Sequence, residues 1–175
     1  MASYYTYLIS SLPVLSFGEK PPFSKEEFLR RCEGAICGKE IRLLASVMNG
    51  EQAAKSNSIV LKGAYHFDSA LRNELVRLRA VRKKIDPHRY LRGEDTHDAH
   101  IAGIATSAIR NPSILEAEKA LDLARWQSID DLARRRYFDL EVLLAYALKL
   151  SIMLRWDKIL SADKGAALAR AVSDN

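Results

Sequence analysis

The sequence predicts an all-α fold: a compact multi-helix bundle built around one long, largely buried helix over about 128–160. Three observations lead there. The stretch 137–156 (YFDLEVLLAYALKLSIMLRW) contains neither Pro nor Gly and is rich in Leu and Ala, both strong helix formers. Within it Leu140, Leu143, Leu144, Ala147, Leu150 and Leu154 recur at spacings of three and four, while Val142, Tyr146, Ile152 and Met153 widen the stripe. What stays polar is the thin line Glu141, Ala145, Lys149, and a helix apolar on most sides is buried on most sides. Third, no strand pair, βαβ alternation or internal repeat is recognisable along the chain. A membrane span is disfavoured, because Asp139, Glu141, Lys149 and Arg155 would each be costly at the bilayer centre.

The remaining elements follow in chain order. Residues 3–17 (SYYTYLISSLPVLSF) are aromatic and β-branched, and are too short for periodicity to separate an extended segment from a first helical turn. The loop 18–22 (GEKPP) precedes a capping box, with Ser24 at the N-cap, Glu27 three residues on and Phe23 placed as a staple for Phe28. That helix stops near Gly34. A second short helix spans 39–48, with Ile41, Leu44, Ala45 and Met48 on one face and Asn49-Gly50 as terminator. Residues 51–63 are polar and Ser/Asn-rich, the expected mobile loop of a single helical domain covering 1–175. A long helix then runs over 68–85, with Leu71, Leu75 and Leu78 in phase, until Asp86-Pro87 stops it. A helix over 98–110 is rich in Ala and Gly and suited to close packing. Asn111-Pro112 opens the next, as N-cap and first helical residue, and it runs to about Trp126. Ser128 is the expected cap of the central helix, with Asp130 and Asp131 in its first turn. Residues 161–175 form a short terminal helix.

Composition bounds the chemistry. The chain has 175 residues, enough for a real core, and a net charge of +5 that permits an acidic partner without demanding one. Cys32 and Cys37 have no companion cluster, so they form neither a disulfide framework nor a zinc signature and read as reduced thiols. The apolar N-terminal run lacks a basic region before it and a cleavage site after it, against a signal peptide.

Three constellations bear on function. Asp95, His97, Asp98 and His100 place two histidines on one helical face. No HExxH or ExxH partner accompanies them, so a solvated helix start outweighs a metal site. The segment 72–92 concentrates Arg72, Arg77, Arg79, Arg82, Lys83, Lys84, Arg89 and Arg92 against Glu74 and Asp86, and with Arg134–Arg136 could serve as a nucleic-acid footprint. Basic residues near a helix C-terminus are favoured by the dipole in any case, so a solvated or protein-facing surface is the simpler account. No G-x-S-x-G, P-loop or dinucleotide glycine pattern is present, and no catalytic, cofactor-binding or metal-ligating residue is assigned. Trp126 and Trp156 read as core or groove anchors.

A longer ordered series carries a resemblance. Asn111-Pro112, Glu116, Glu118, Ala120-Leu121-Asp122, Arg125-Trp126, Ile129 to Leu132, Tyr137-Phe138-Asp139-Leu140, Leu144-Ala145-Tyr146, Lys149-Leu150, Arg155-Trp156 and Lys164-Gly165 follow one another in order. Near the N-terminus stand Tyr4-Tyr5, Tyr7-Leu8-Ile9, Ser11-Leu12-Pro13 and Pro22-Phe23-Ser24 through Phe28-Leu29. Together they resemble a bacterial family encoded alongside V/A-type ATPase genes and treated as a counterpart of that machine's funnel-shaped, all-helical central-stalk socket. The resemblance covers about 1–34 and 110–170. It implies a non-catalytic structural protein of the rotary motor, linking central shaft to membrane rotor ring, cytoplasmic and peripheral to the inner face of the plasma membrane, with no cofactor and no small-molecule substrate. Arg125, Arg134 and Arg135 are the expected partner interface, chosen for charge. The alternative from a different class is a helical nucleic-acid-binding protein using the basic 72–92 face.

Overall fold

A computed structural model describes residues 5–51, 56–93 and 97–173, with side chains described through residue 162. Among the described residues every regular element is helical, and no helix is long and apolar enough to cross a membrane. In place of the single domain expected over 1–175, the chain divides into two units. One is Met1–Lys55 with Arg135–Asn175, and the other, Ser56–Arg134, is inserted between those segments in sequence. Each unit closes its own core.

The first unit holds α1 (Thr6–Ser11), α2 (Lys25–Cys32), α3 (Gly38–Met48) and α7 (Leu140–Ser173). The aromatic N-terminal run resolves into the short helix α1. Its start is tied down by the Tyr5 backbone N–H donating to the Phe138 carbonyl. Ser24 caps α2 as its spacing indicates, accepting the Glu27 N–H at 3.2 Å. The Glu27 carboxylate does not complete the box; it turns along the helix to Arg30 and Arg31. The reciprocal half of a box occurs at α3, where Glu40 Oε2 accepts the Cys37 backbone N–H at 3.0 Å. Phe28, Leu44, Leu143, Leu144, Ala147 and Leu150 are fully buried, so the stripe read from sequence is the core face of α7. Phe28 stacks on Tyr146 with centroids 5.3 Å apart. Ala145 is buried as well, where the sequence placed it on the polar line; a methyl group fits a packed face as readily as a wet one. Cys32 is fully buried and Cys37 is exposed, both as free thiols.

Two boundaries of the long helix differ from expectation. It begins at Leu140, not Ser128, and continues without interruption through Ser173, absorbing the separate terminal helix expected over 161–175. Ser128 lies inside the preceding helix, and Asp130 and Asp131 sit in its last turn. The break falls after Ala133, where Phe138 adopts φ 56°, a left-handed conformation costly for an aromatic residue. Asp139 Oδ1 then accepts the Val142 N–H at 3.3 Å and starts α7.

The second unit packs α4 (Ile59–Lys83), α5 (Ala99–Arg110) and α6 (Ile114–Ala133) against one another, with the short 3₁₀ turn His88–Tyr90 between α4 and α5. α4 starts at Ile59, well before the expected Asp68, because Ser58 caps it by accepting the Leu61 N–H at 3.0 Å. The loop expected over 51–63 is therefore helical from Ile59 onward, and residues 52–55 lie outside the described residues. α4 ends on Lys84 in the left-handed region (φ 54°), two residues ahead of the Asp86-Pro87 stop. α5 starts close to where the sequence placed it, with Asp98 as its cap, accepting from the His100 and Ile101 N–H groups. The cap of α6 is Ser113, not Asn111; Asn111 instead accepts the Ser113 N–H, which orients the cap. Ala70, Leu71 and Leu75 of α4, Ile101, Ala105 and Ala108 of α5 and Leu121 of α6 form one core. The small residues of α5 permit this close approach.

Candidate partner-docking surface

The four buried polar side chains of the described residues, Ser58, Asn73, Glu74 and Asp122, all belong to the second unit. Each is answered locally. Asn73 clamps the backbone of Arg92, donating to its carbonyl and accepting its N–H, both at 2.9 Å, which pins the segment after α4 onto that helix. Glu74 Oε1 meets Arg77 Nη1 at 2.6 Å and His97 Nδ1 at 2.8 Å. Asp122 Oδ1 meets Arg125 Nη1 at 2.9 Å, while Arg125 Nε reaches Asp68 on α4 at the same distance. These are structural ion pairs: buried charge matched by a fixed partner.

That geometry separates the three arginines expected at an interface. Arg125 is an internal strut between α6 and α4 rather than a surface group. Arg134, in the second unit, is 79% exposed at its side chain and pairs loosely with Asp131 at 3.3 Å. Arg135, in the first unit, is exposed. The histidine constellation is likewise dispersed: His97 serves Glu74, Asp98 caps α5, and Asp95 lies outside the described residues. No group of three His, Cys, Asp or Glu suited to a metal occurs among the described residues.

The basic run is also smaller than its residue count suggests. Arg72 is engaged by Asp68 at 2.8 Å and Arg77 by Glu74. Arg79, Arg82, Lys83, Lys84 and Arg89 stay exposed toward the C-terminal end of α4 and just beyond it. Exposed Val81, Ile85 and Tyr90 are interleaved with them.

Two depressions open on this unit. One, of about 570 Å³, lies over the C-terminal half of α5 beside Thr106, Ser107, Arg110 and Pro112. The other, of about 200 Å³, is a groove where α4, α5 and α6 meet. Leu75, Ala108 and Leu121 form its buried floor. Arg79 and Arg82 line the α4 side, Glu118 and the exposed Ile114 the α6 side. Leu75, Arg79 and Arg82 fall at i, i+4 and i+7, so their common face was present in the sequence. What the sequence concealed was Ile114 opposite them, because a single apolar residue at a helix start carries no signal of its own.

The site thus defines an all-helical protein with a mixed apolar and basic surface and no assembled metal-binding cluster among its described residues. A family model described as "Protein of unknown function (DUF2764)" matches residues 101–175, the segment comprising α5, α6 and α7. No curated protein and no solved structure matches the chain.

Proposed function

We propose that this chain is a non-catalytic coupling component of a V/A-type ATPase, linking the central shaft to the membrane rotor ring from the cytoplasmic side and peripheral to the inner face of the plasma membrane. One observation carries the reading: the ordered series from Asn111 to Gly165, joined by the N-terminal set from Tyr4 to Leu29, resembles the family encoded with that machine. Many of those positions, among them Leu121, Trp126, Ile129, Leu144 and Leu150, are core residues, so the resemblance reports a shared helical scaffold rather than a contact surface. The contact in this reading falls on Arg134 and Arg135, and Arg125 contributes by holding the scaffold.

The test is affinity isolation of the tagged chain from detergent-solubilised native membranes. Shaft or ring proteins should be recovered in fixed ratio, and recovery should fall when Arg134 and Arg135 are both changed to Glu. Nucleic acid recovered instead, and lost on nuclease or salt treatment, would select the alternative in which the basic end of α4 binds phosphate backbone.

A further inference from the structure

The groove between α4, α5 and α6 has two features that together specify an occupant. Its floor is apolar and buried, formed by Leu75, Ala108 and Leu121. Its α4 wall carries Arg79 and Arg82, and neither is ion-paired among the described residues. Elsewhere in this unit Arg72, Arg77 and Arg125 are each matched by a carboxylate. The opposite wall carries an exposed carboxylate, Glu118, one turn along α6 from Ile114.

From this charge pattern we infer that the groove docks an amphipathic helix of a partner protein that is acidic along one edge. Arg79 and Arg82 stand one helical turn apart, so their heads match carboxylates at i and i+3 or i+4 of an incoming helix. A Leu, Ile or Phe between those carboxylates enters the floor, as apolar anchors do in helix-in-groove recognition. Glu118 on the far wall requires the other edge of the helix to be neutral or basic, which fixes its direction. A volume of about 200 Å³ admits one such anchor and leaves the charged rims to set specificity. The inference stands independently of the ATPase reading, since it concerns only the groove and its rims.

The experiment is selection of a displayed helical-peptide library against the full chain, with R79E/R82E as a second target. On the parent chain, enriched peptides should carry Asp or Glu one turn apart beside a large apolar residue. Their affinity, measured by fluorescence anisotropy, should fall at least about tenfold on R79E/R82E. Selection on R79E/R82E should return Lys or Arg at the same two positions. A circular dichroism melt checks that the variant folds, and R79Q/R82Q, which keeps the length of both side chains without their charge, serves in its place if it does not. Enrichment without acidic residues, or no enrichment at all, would overturn the inference. So would displacement of a selected peptide by a single-stranded oligonucleotide, which would give the cations to nucleic acid. An I114D-sensitive dimer in sedimentation would give the groove to a second copy, and the inference would again fail.

Discussion

Arg125 binds two carboxylates from different helices, Asp122 one turn back on α6 and Asp68 on α4, each at 2.9 Å. Asp122 is almost wholly buried, with 1% of its surface exposed, so the guanidinium facing it is part of what makes its burial tolerable. Charge and position in the chain marked Arg125 as an interface residue; its neighbours make it a structural one.

Replacing Arg125 should therefore be read first in stability. Arg125→Ala is expected to destabilise the protein by about 3 kcal/mol, since it removes the cation from a buried carboxylate. Arg134→Ala and Arg135→Ala, away from such buried charge, should each stay within about 0.5 kcal/mol of the parent. Urea unfolding of the three variants makes the comparison, and an Arg125→Ala protein as stable as the parent would refute the strut.

The approach of α4 to α6 at Gly63 gives a second expectation. A Cβ added there would lie 2.4 Å from Leu132 Cδ2 and 3.2 Å from its Cγ, so the leucine must leave its present rotamer. Alanine in mid-helix is ordinarily favoured over glycine by about 1 kcal/mol. Gly63→Ala alone should nonetheless lower the melting temperature, whereas in a Leu132→Ala background the same change should raise it. Two changes of the same sign would mean that the close approach carries no weight.

Alkaline pH should weaken the first unit. Burial pushes the Cys32 thiol up from 9.0 to about 11. It pushes the Tyr146 phenol up from 10.0 to about 12, with the neighbouring Cys32 adding to the rise and Arg31 opposing it. In both cases the folded chain keeps a proton that the unfolded chain releases at lower pH. Their contribution to stability is thus complete below pH 9 and is lost as the pH climbs through 11 to 12. Tyr146 also donates to the Pro13 carbonyl at 3.1 Å, a bond the phenolate cannot make. A stability profile from about pH 8 to 12 should fall, and Tyr146→Phe should flatten its upper part. An unchanged slope in that variant would rule out the phenol as a source.

At the acid end the group to examine is Glu40. Partial burial pushes its carboxyl up, but hydrogen bonds from the Tyr5 hydroxyl, at 2.7 Å, and from the Cys37 N–H outweigh this and hold it below the ordinary value of 4.5. Its contribution is present above that value and disappears as pH falls through the depressed one. Glu40→Ala should cost about 1 kcal/mol at neutral pH through loss of the α3 cap and the Tyr5 tether. The variant should also show a shallower decline than the parent between about pH 5 and 3. Equal acid sensitivity would place the titrating group elsewhere.

Thiol chemistry gives a final check on the first unit. Cys37 should react with a maleimide in the folded protein, and Cys32 only after denaturant opens the core around it. Mass spectrometry with and without denaturant counts the adducts, and two adducts on the folded chain would contradict the burial of Cys32.

The helical class, the cap at Ser24, the start of α5 near Asp98 and the buried face of α7 were all legible in the residues alone. Each is written within a turn or two of chain. Caps act over three positions, and the Leu143, Leu144, Ala147, Leu150 stripe repeats at the helical period, so both survive whatever surrounds them. Other features depended on packing between distant segments. Ser128 looks like a cap, but the helix through it continues to Ala133, because Trp126 and Ile129 are buried and hold that stretch in the core. Ile59 starts α4 early because Val60 and Leu61 are buried, which supplies the packing that a polar stretch lacks in isolation. The partition into two units was invisible, since residues 5–51 find their core partner only after residue 139. Arg125 and Asp68 lie 57 positions apart. No periodicity reaches that far, and only folding brings opposite charges from two helices to hydrogen-bonding distance.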